Sequence, residues 1–430
     1  MSLMKTTWLL SLVLSIANTV TAESLTLKEA EQLALENNPS LHAANSHALA
    51  MAAIPAQVGS LPDPTLSLNA LNLPVNSFST TQVDMTQMQM GISQRLPFPG
   101  KLRLQAEVAE RFAKAAECDR DELRLLLQRN VRIHWWNLIY LDKALGLIQN
   151  NQRLLRHLVQ VSEAKYKTGG GLQQDVLLAQ LELSRLLEQE MSLTRERATQ
   201  AASLNVLLGR DSVTPILLTQ PLPAFVAPTI EIDSLKDWAK DHRPRLIALK
   251  RNIEAADYMV ALSEREQFPD FKLAAAYGVR QGMNAVSGQR RSDLTSISLS
   301  MTLPIYHREK QDHAVDQRNA EQAEAAFIWQ EGVNEVYAEI DAAASDLRIS
   351  RDQLAMFDQG ILPQARQTTA SMLVGYQVNK VDFLNLVRAQ LNELNMEIQY
   401  WKIYTLAHQS EARLEAAAGN ALIIGNGEMR

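Results

Sequence analysis

The chain has 430 residues, a hydrophobic fraction of 46% and a formal net charge of −6. The length suits two or three ordinary domains, and so mild a charge argues against a nucleic-acid partner. One cysteine, Cys118, excludes an intrachain disulfide framework.

Residues 1–22 read as a secretion signal. Lys5 gives the positive start, Trp8–Ala17 a short apolar core, and Val20-Thr21-Ala22 a small-x-small cleavage site before Glu23. That core is too short to span a bilayer, and no later stretch holds about eighteen uninterrupted apolar residues. Cys118 lies far from the cleavage site and does not carry an N-terminal lipid. The exported chain is expected to be soluble, or to reach the outer membrane through β-strands.

Helical apolar spacing runs over Leu25–Glu36, with Thr26 and Glu29 spaced as a capping box and Asn37-Asn38-Pro39 as the stop. A second helix is expected from about Ser40 to Val58. A hairpin follows over 61–101, opened by Leu61-Pro62-Asp63 and closed by Leu96-Pro97-Phe98-Pro99-Gly100-Lys101. One long helix is predicted over 102–167. Its seam is Leu123, Leu127, Leu138, Leu141, Leu145, Ile148, Leu155 and Val159, spaced as in a coiled coil. At 1.5 Å per residue it makes a rod of roughly 100 Å. Thr168-Gly169-Gly170-Gly171 breaks it, and a return helix over 172–208 carries the seam Leu177, Leu181, Leu187, Met191, Ala198, Ala201 and Leu208. Pro215, Pro221, Pro223 and Pro228 mark a linker over 215–230.

The pattern then restarts. Short helices are expected at Ser234–Asp241 and Pro244–Glu266, and a hairpin over 268–308 opens with Phe268-Pro269-Asp270. A long helix over 309–376 is expected to be interrupted near Gly332 and Gly360–Pro363. The last helix covers 382–418, and 419–430 form a tail. The prolines of the two hairpins are 207 residues apart (269 − 62 and 304 − 97), and Tyr376 lies 210 after Tyr166. Three motifs in one order and nearly one register define an internal duplication, 23–214 and 231–418.

The hairpin segments alternate. Met88, Met90 and Ile92 oppose Gln87, Gln89, Gly91 and Ser93; Leu273, Ala275, Tyr277 and Val279 oppose Lys272, Ala274, Ala276, Gly278 and Arg280; Ile297, Leu299, Met301 and Leu303 oppose serines and Thr302. In the first segment Leu66 and Leu68 share a face, but Leu71 and Leu73 change phase. Either a sheet caps a soluble core, or the strands cross a membrane with apolar side chains outward and polar ones inward. Four strands cannot close a barrel, which needs at least about eight. Open edges in lipid cost several kcal/mol per unpaired group. The second reading therefore requires strands pooled among copies.

Other tempting residues have plainer explanations. His134, before Trp135-Trp136, continues the seam as a polar layer. His307 and His313 lack the i, i+4 spacing of a metal-binding helix. Met85, Met88 and Met90 suggest soft-metal contacts, but the last two alternate with Gln as strand residues do. Neither a nucleophile motif nor zinc-spaced cysteines are present. No enzyme, cofactor or resident metal is expected.

With these features the chain resembles the TolC-like outer membrane efflux protein family. The match lies in LTLKEAEQLALENNPSL from Leu25, the doubled hairpins, the Leu96–Lys101 exit, Tyr166-Lys167-Thr168-Gly169, Asp175 with Ala179-Gln180, and Leu207-Leu208-Gly209. The resemblance implies a mainly α fold with a small β part, in which four transmembrane strands per chain are pooled into a trimeric β-barrel above a long periplasmic α-helical barrel. It implies a passive outer-membrane exit duct of a tripartite efflux system, serving a resistance-nodulation-division pump through a periplasmic adaptor (membrane fusion) protein. The hairpin stretches DPTLSLNALNLPVNSF and MTQMQMGISQRLPFPGK resemble the heavy-metal branch. The resemblance also makes the helix turns a periplasmic tip, with Tyr166, Gly169, Asp175, Tyr376, Asp382, Asn385 and Arg388 as gate candidates. Asn385 and Arg388 stand where some members carry acids, so a ring of Asp175 or Asp382, or a latch by Arg388, is expected instead. The rival reading is a soluble periplasmic coiled-coil scaffold or adaptor without a pore.

Overall fold

The computed structural model describes residues 24–219, 222, 231–378 and 380–419. The expected secretion signal, most of the Pro-rich linker and the tail after Gly419 lie outside the described residues.

In chain order the elements are β1 (Ser24–Leu25), α1 (Leu27–Asn37), α2 (Pro39–Ala52), α3 (Ile54–Gly59), β2 (Thr65–Leu71), β3 (Gln87–Leu96), α4 (Lys101–Lys167) and α5 (Gln173–Leu207). There follow β4 (Leu217–Leu218), α6 (Ile232–His242), α7 (Pro244–Arg265), β5 (Phe271–Val279), β6 (Leu294–Met301), α8 (Gln311–Met356), a π-helical turn (Phe357–Ile361), α9 (Leu362–Gln377) and α10 (Phe383–Ala417). Packing divides the chain into two units, each drawing on both halves of the sequence. Among the described residues, one holds 24–38, 130–219, 222, 352–378 and 380–409; the other holds 39–129, 231–351 and 410–419.

In the first unit the Thr26 hydroxyl accepts from the Glu29 N–H while the Glu29 carboxylate takes the Thr26 N–H at 2.8 Å, closing the capping box of α1. The seam of α4 turns inward: Leu138, Leu141, Ile148 and Leu155 are buried. Ile148, Leu155 and Leu158 form one core with Ala179 and Leu186 of α5 and with Tyr376, Phe383, Leu386, Val387 and Leu394. Trp135 and Trp136 are buried; Trp136 stacks on His408 at 4.1 Å, and burial, with Tyr400 beside it, pushes the Tyr404 phenol up to about 12. His134 Nδ1 bonds Gln200 Oε1 at 2.8 Å, so this histidine is a polar rung between α4 and α5.

Of the seam expected on α5, Leu208 at its end is buried and Ala201 is half-buried, but the leading part faces the other way. Leu177, Leu181, Leu187 and Met191 are exposed, and the helix buries Ala179, Leu186 and Leu204 instead. Apolar spacing identifies a stripe, not the side that the same chain covers; α5 has two stripes and this chain fills one.

In the second unit the expected Ser40–Val58 helix is two helices. Pro55 has no N–H to donate, and the chain turns at Ala53 between α2 and α3. Gly332 does not interrupt α8. A Cβ there would meet Leu249 Cδ1 at 2.7 Å, so the glycine lets α8 approach α7 closely. Near Gly360–Pro363 the helix widens into the π turn and continues, absorbing the bond that Pro363 cannot donate.

Arg243, between α6 and α7, is 2% exposed and grips Glu122 through Nε and Nη2 (2.8 Å) and Glu339 through Nη1 (3.1 Å). Opposing the burial that would lower its pKa, these two carboxylates hold the guanidinium above its ordinary value.

Candidate functional site

The two hairpins form one antiparallel sheet in the order β2-β3-β5-β6. Thr65 pairs with Ser93 and Lys272 with Ser300, so both residues of the pair move by 207 and the second hairpin repeats the register of the first. Paired residues share a face. Leu68, Met90 and Tyr277 line up across three strands, as do Leu66, Ile92, Ala275 and Ile297 across all four. Ser67, Gly91, Ala276 and Ser296 line up on the opposite face.

The apolar face is open in the single chain: Leu68 is 75%, Ile297 77% and Leu299 68% exposed. Met88 and Met90 belong to this face, and Met85 is exposed in the loop before β3. After Leu68 the alternation slips: Leu71, still in β2, pairs with Gln87 on the face of Ser67 and Asn69, whereas the slip at Leu73 has a local cause. The strand ends at Leu71, and Asn72 takes a left-handed φ of 55°, its amide donating to Met85 O at 3.1 Å while its carbonyl accepts from the Thr86 hydroxyl at 2.7 Å. Leu73 thus lies beyond the pleat. Among the described residues no helix is long and apolar enough to cross a membrane.

At the base of the sheet the two halves are tied. Asp270 Oδ1 accepts from Lys101 Nζ (2.8 Å) and Phe98 N–H (3.0 Å), and Oδ2 from Arg95 (3.0 Å). Lys101 also donates to Phe268 O at 3.0 Å, and Phe98 stacks on Phe268 at 4.7 Å. Burial alone would raise the Asp270 pKa, but the Lys101 ammonium, the Phe98 N–H and Arg95 together hold it below the usual carboxylate range. The Pro-Asp motif reads in sequence only as a strand boundary. Its signal as a tie is that Asp recurs after Pro at both strand starts, opposite a cation at the exit.

The tip candidates all lie in the first unit, at two helix turns. Gly169, at φ +73°, ends α4; its N–H bonds Tyr166 O at 3.0 Å and the Gly170 N–H bonds Lys165 O at 2.9 Å. Tyr166 is exposed, and Asp175 sits half-buried in the first turn of α5. Tyr376 is packed against Phe383 and under the Lys165 ammonium, 4.1 Å from its ring centre. Burial, with the Asp175 carboxylate nearby, pushes the Tyr376 phenol up. Asp382 caps α10: Oδ1 accepts from Asn385 N–H (2.8 Å) and Oδ2 from its amide (3.1 Å). Arg388, one turn further, is exposed.

Comparison with known proteins bears on the family and the fold. The outer membrane efflux protein family matches residues 30–210 and 235–420. The cobalt-zinc-cadmium resistance protein CzcC of Cupriavidus metallidurans is 20% identical over 400 residues, covering 93% of this chain and 91% of its own. The CmeC outer membrane channel of Campylobacter jejuni superposes with a TM-score of 0.78 at 18% identity, over 94% of this chain and 87% of its own. VceC, an outer membrane protein of Vibrio cholerae, gives 0.77 at 18% identity, over 91% and 96%. The chain belongs to the outer membrane efflux protein family. It is an outer-membrane exit duct with a large periplasmic part, in a family of transport proteins.

Proposed function

We propose that three copies pool their sheets into a twelve-stranded barrel and line up their helices below it. The result is the passive exit of a tripartite system, in which an inner-membrane pump of the resistance-nodulation-division type supplies the energy and a periplasmic adaptor makes the joint. The observation that carries this reading is the sheet. Its apolar face is uncovered over four strands, and β2 and β6 have open edges. In lipid, unpaired edge groups cost several kcal/mol each, and pooling strands among copies removes them. The uncovered stripe of α5 supports the same side-by-side packing.

Heavy-metal cations are the proposed cargo, supported by the likeness to CzcC over nearly the whole chain. A strain lacking the protein is expected to become sensitive to at least one of copper, silver, zinc and cobalt. Sensitivity to drugs alone removes the metal assignment.

At the tip, a three-fold ring of Asp175 would concentrate cations, and Arg388 would pair with a carboxylate of a neighbouring copy and hold the turn shut. Arg388→Ala is expected to raise single-channel conductance and antibiotic leakage; if both stay unchanged, there is no latch. A protein recovered wholly from the soluble periplasm would instead favour the scaffold without a pore.

A further inference from the structure

The tie at Asp270 is made once in the chain, yet the duplication supplies its parts twice. Shifting Phe268, Asp270, Phe98 and Lys101 by the 207-residue repeat gives Leu61, Asp63, Ile305 and Arg308. Leu61 and Asp63 lead into edge strand β2, and Ile305 and Arg308 leave edge strand β6. All four are exposed, and among the described residues neither Asp63 nor Arg308 has an ion-pair partner within the chain.

We propose that this second tie forms between neighbouring copies of the chain. The carboxylate of Asp63 accepts from the Arg308 guanidinium and the Ile305 N–H of the next copy, while Leu61 covers its Ile305. In the lone chain the Ile305 N–H closes a short turn onto Leu303 O at 2.9 Å, which the tie would replace. The inference rests on the pooled barrel proposed above and adds its interface chemistry and register.

The register follows from the same shift. Arg95 pairs with Lys272 and Gly91 with Ala276 across β3 and β5. Their counterparts are Thr302 against Thr65 and Ser298 against Asn69 of the neighbour. In this register Leu299 lies opposite Leu68, and Met301 opposite Leu66. The apolar face therefore continues unbroken across the junction, and so does the polar one. A shift by one residue would put leucines opposite serines. The same head-to-tail contact, repeated, closes a ring. Helix α8 starts at Gln311, 210 residues after Lys101, so the three extra residues fall between Pro304 and Gln311. That exposed turn carries Lys310 as well as Arg308; the 207 shift selects Arg308.

The test uses the full chain in native outer membranes, with Cys118→Ser throughout. Thr65→Cys with Thr302→Cys places two thiols at directly paired positions, about 4.5–5.5 Å apart between Cα atoms, within disulfide reach. Oxidation is expected to give disulfide-linked dimers and trimers on a non-reducing gel. Thr65→Cys with Ser298→Cys, four residues along β6 and about 13 Å away, is expected to stay monomeric. Asp63→Arg and Arg308→Asp singly are expected to lose the heat-resistant oligomer, and the double reversal to restore it. Cross-linking of the displaced pair alone overturns the register. Rescue of Asp63→Arg by Lys310→Asp but not by Arg308→Asp overturns the tie. A trimeric wild type whose Thr65/Thr302 pair does not cross-link overturns this inference alone; a monomeric wild type, by mass in mild detergent, overturns the pooled barrel with it.

Discussion

Lys101 Nζ donates to Asp270 Oδ1 at 2.8 Å, joining residues 169 positions apart, one at the exit of the first hairpin and one at the start of the second. Both side chains are largely buried, so the bond is poorly screened. Asp270→Ala leaves the Lys101 ammonium without its carboxylate. It is expected to destabilise the sheet by about 1.5–3 kcal/mol, the usual range for bonds to charged groups. Chemical denaturation of the wild type and variant checks this.

The same carboxylate gives a pH dependence. The Asp270 pKa is depressed from its ordinary 3.8. Its contribution is therefore full above that value and is lost as pH falls through the lower, folded pKa. Acid melting should show wild type losing its advantage over Asp270→Asn only below about pH 4. A gap between the two that widens toward lower pH would contradict the assignment.

Arg243 supports the helices of the second unit rather than the sheet. Arg243→Ala strands the Glu122 carboxylate, a buried charge that has lost its partner, and the expected loss is about 3–5 kcal/mol. Arg243→Met combined with Glu122→Gln should recover most of it, because no buried charge then remains. Thermal unfolding of the single and double variants separates the cases.

Asp382 has a structural task that competes with the gate role. As the cap of α10 it is worth about 1 kcal/mol, so Asp382→Ala should lower stability by that much, and Asp382→Asn, another good cap, should not. Asp382→Asn also removes the charge. If its cation selectivity in planar bilayers equals wild type, Asp382 is a cap only.

The two sheet faces should respond oppositely to charge. Leu299→Lys, on the apolar face, is expected to cost about 2–4 kcal/mol of barrel stability near the bilayer midplane. Ser298→Lys, on the polar face, should leave stability close to wild type and shift ion selectivity toward anions.

The strand faces were legible in the sequence because a pleat maps alternation directly onto sides: Met88, Met90 and Ile92 of β3, Leu273, Tyr277 and Val279 of β5, and Ile297, Leu299 and Met301 of β6 lie on one face of the sheet. The duplication was legible because it fixes register, and the hairpins repeat it to the residue. Other features were not local enough to read. Gly332 looks like a helix breaker until α7 is seen against it. Nothing in His242-Arg243-Pro244 marks a buried cation, because Glu122 and Glu339 are 121 and 96 residues away. The leading α5 stripe is exposed, and apolar spacing alone does not tell which of two stripes the chain covers. Of the tip residues, sequence locates the turns, while the cap made by Asp382 and the packing of Tyr376 under Lys165 depend on the fold.

In the proposed barrel the sheet meets lipid on one side and water on the other. The most direct test is labelling of intact outer membranes with a membrane-impermeant maleimide, in the Cys118→Ser background. Ser298→Cys is expected to react, and Leu299→Cys, its neighbour on the apolar face, is expected to be protected until the membrane is dissolved. Equal labelling of both, or labelling of Leu299→Cys alone, would contradict a lipid-facing apolar surface and with it the barrel.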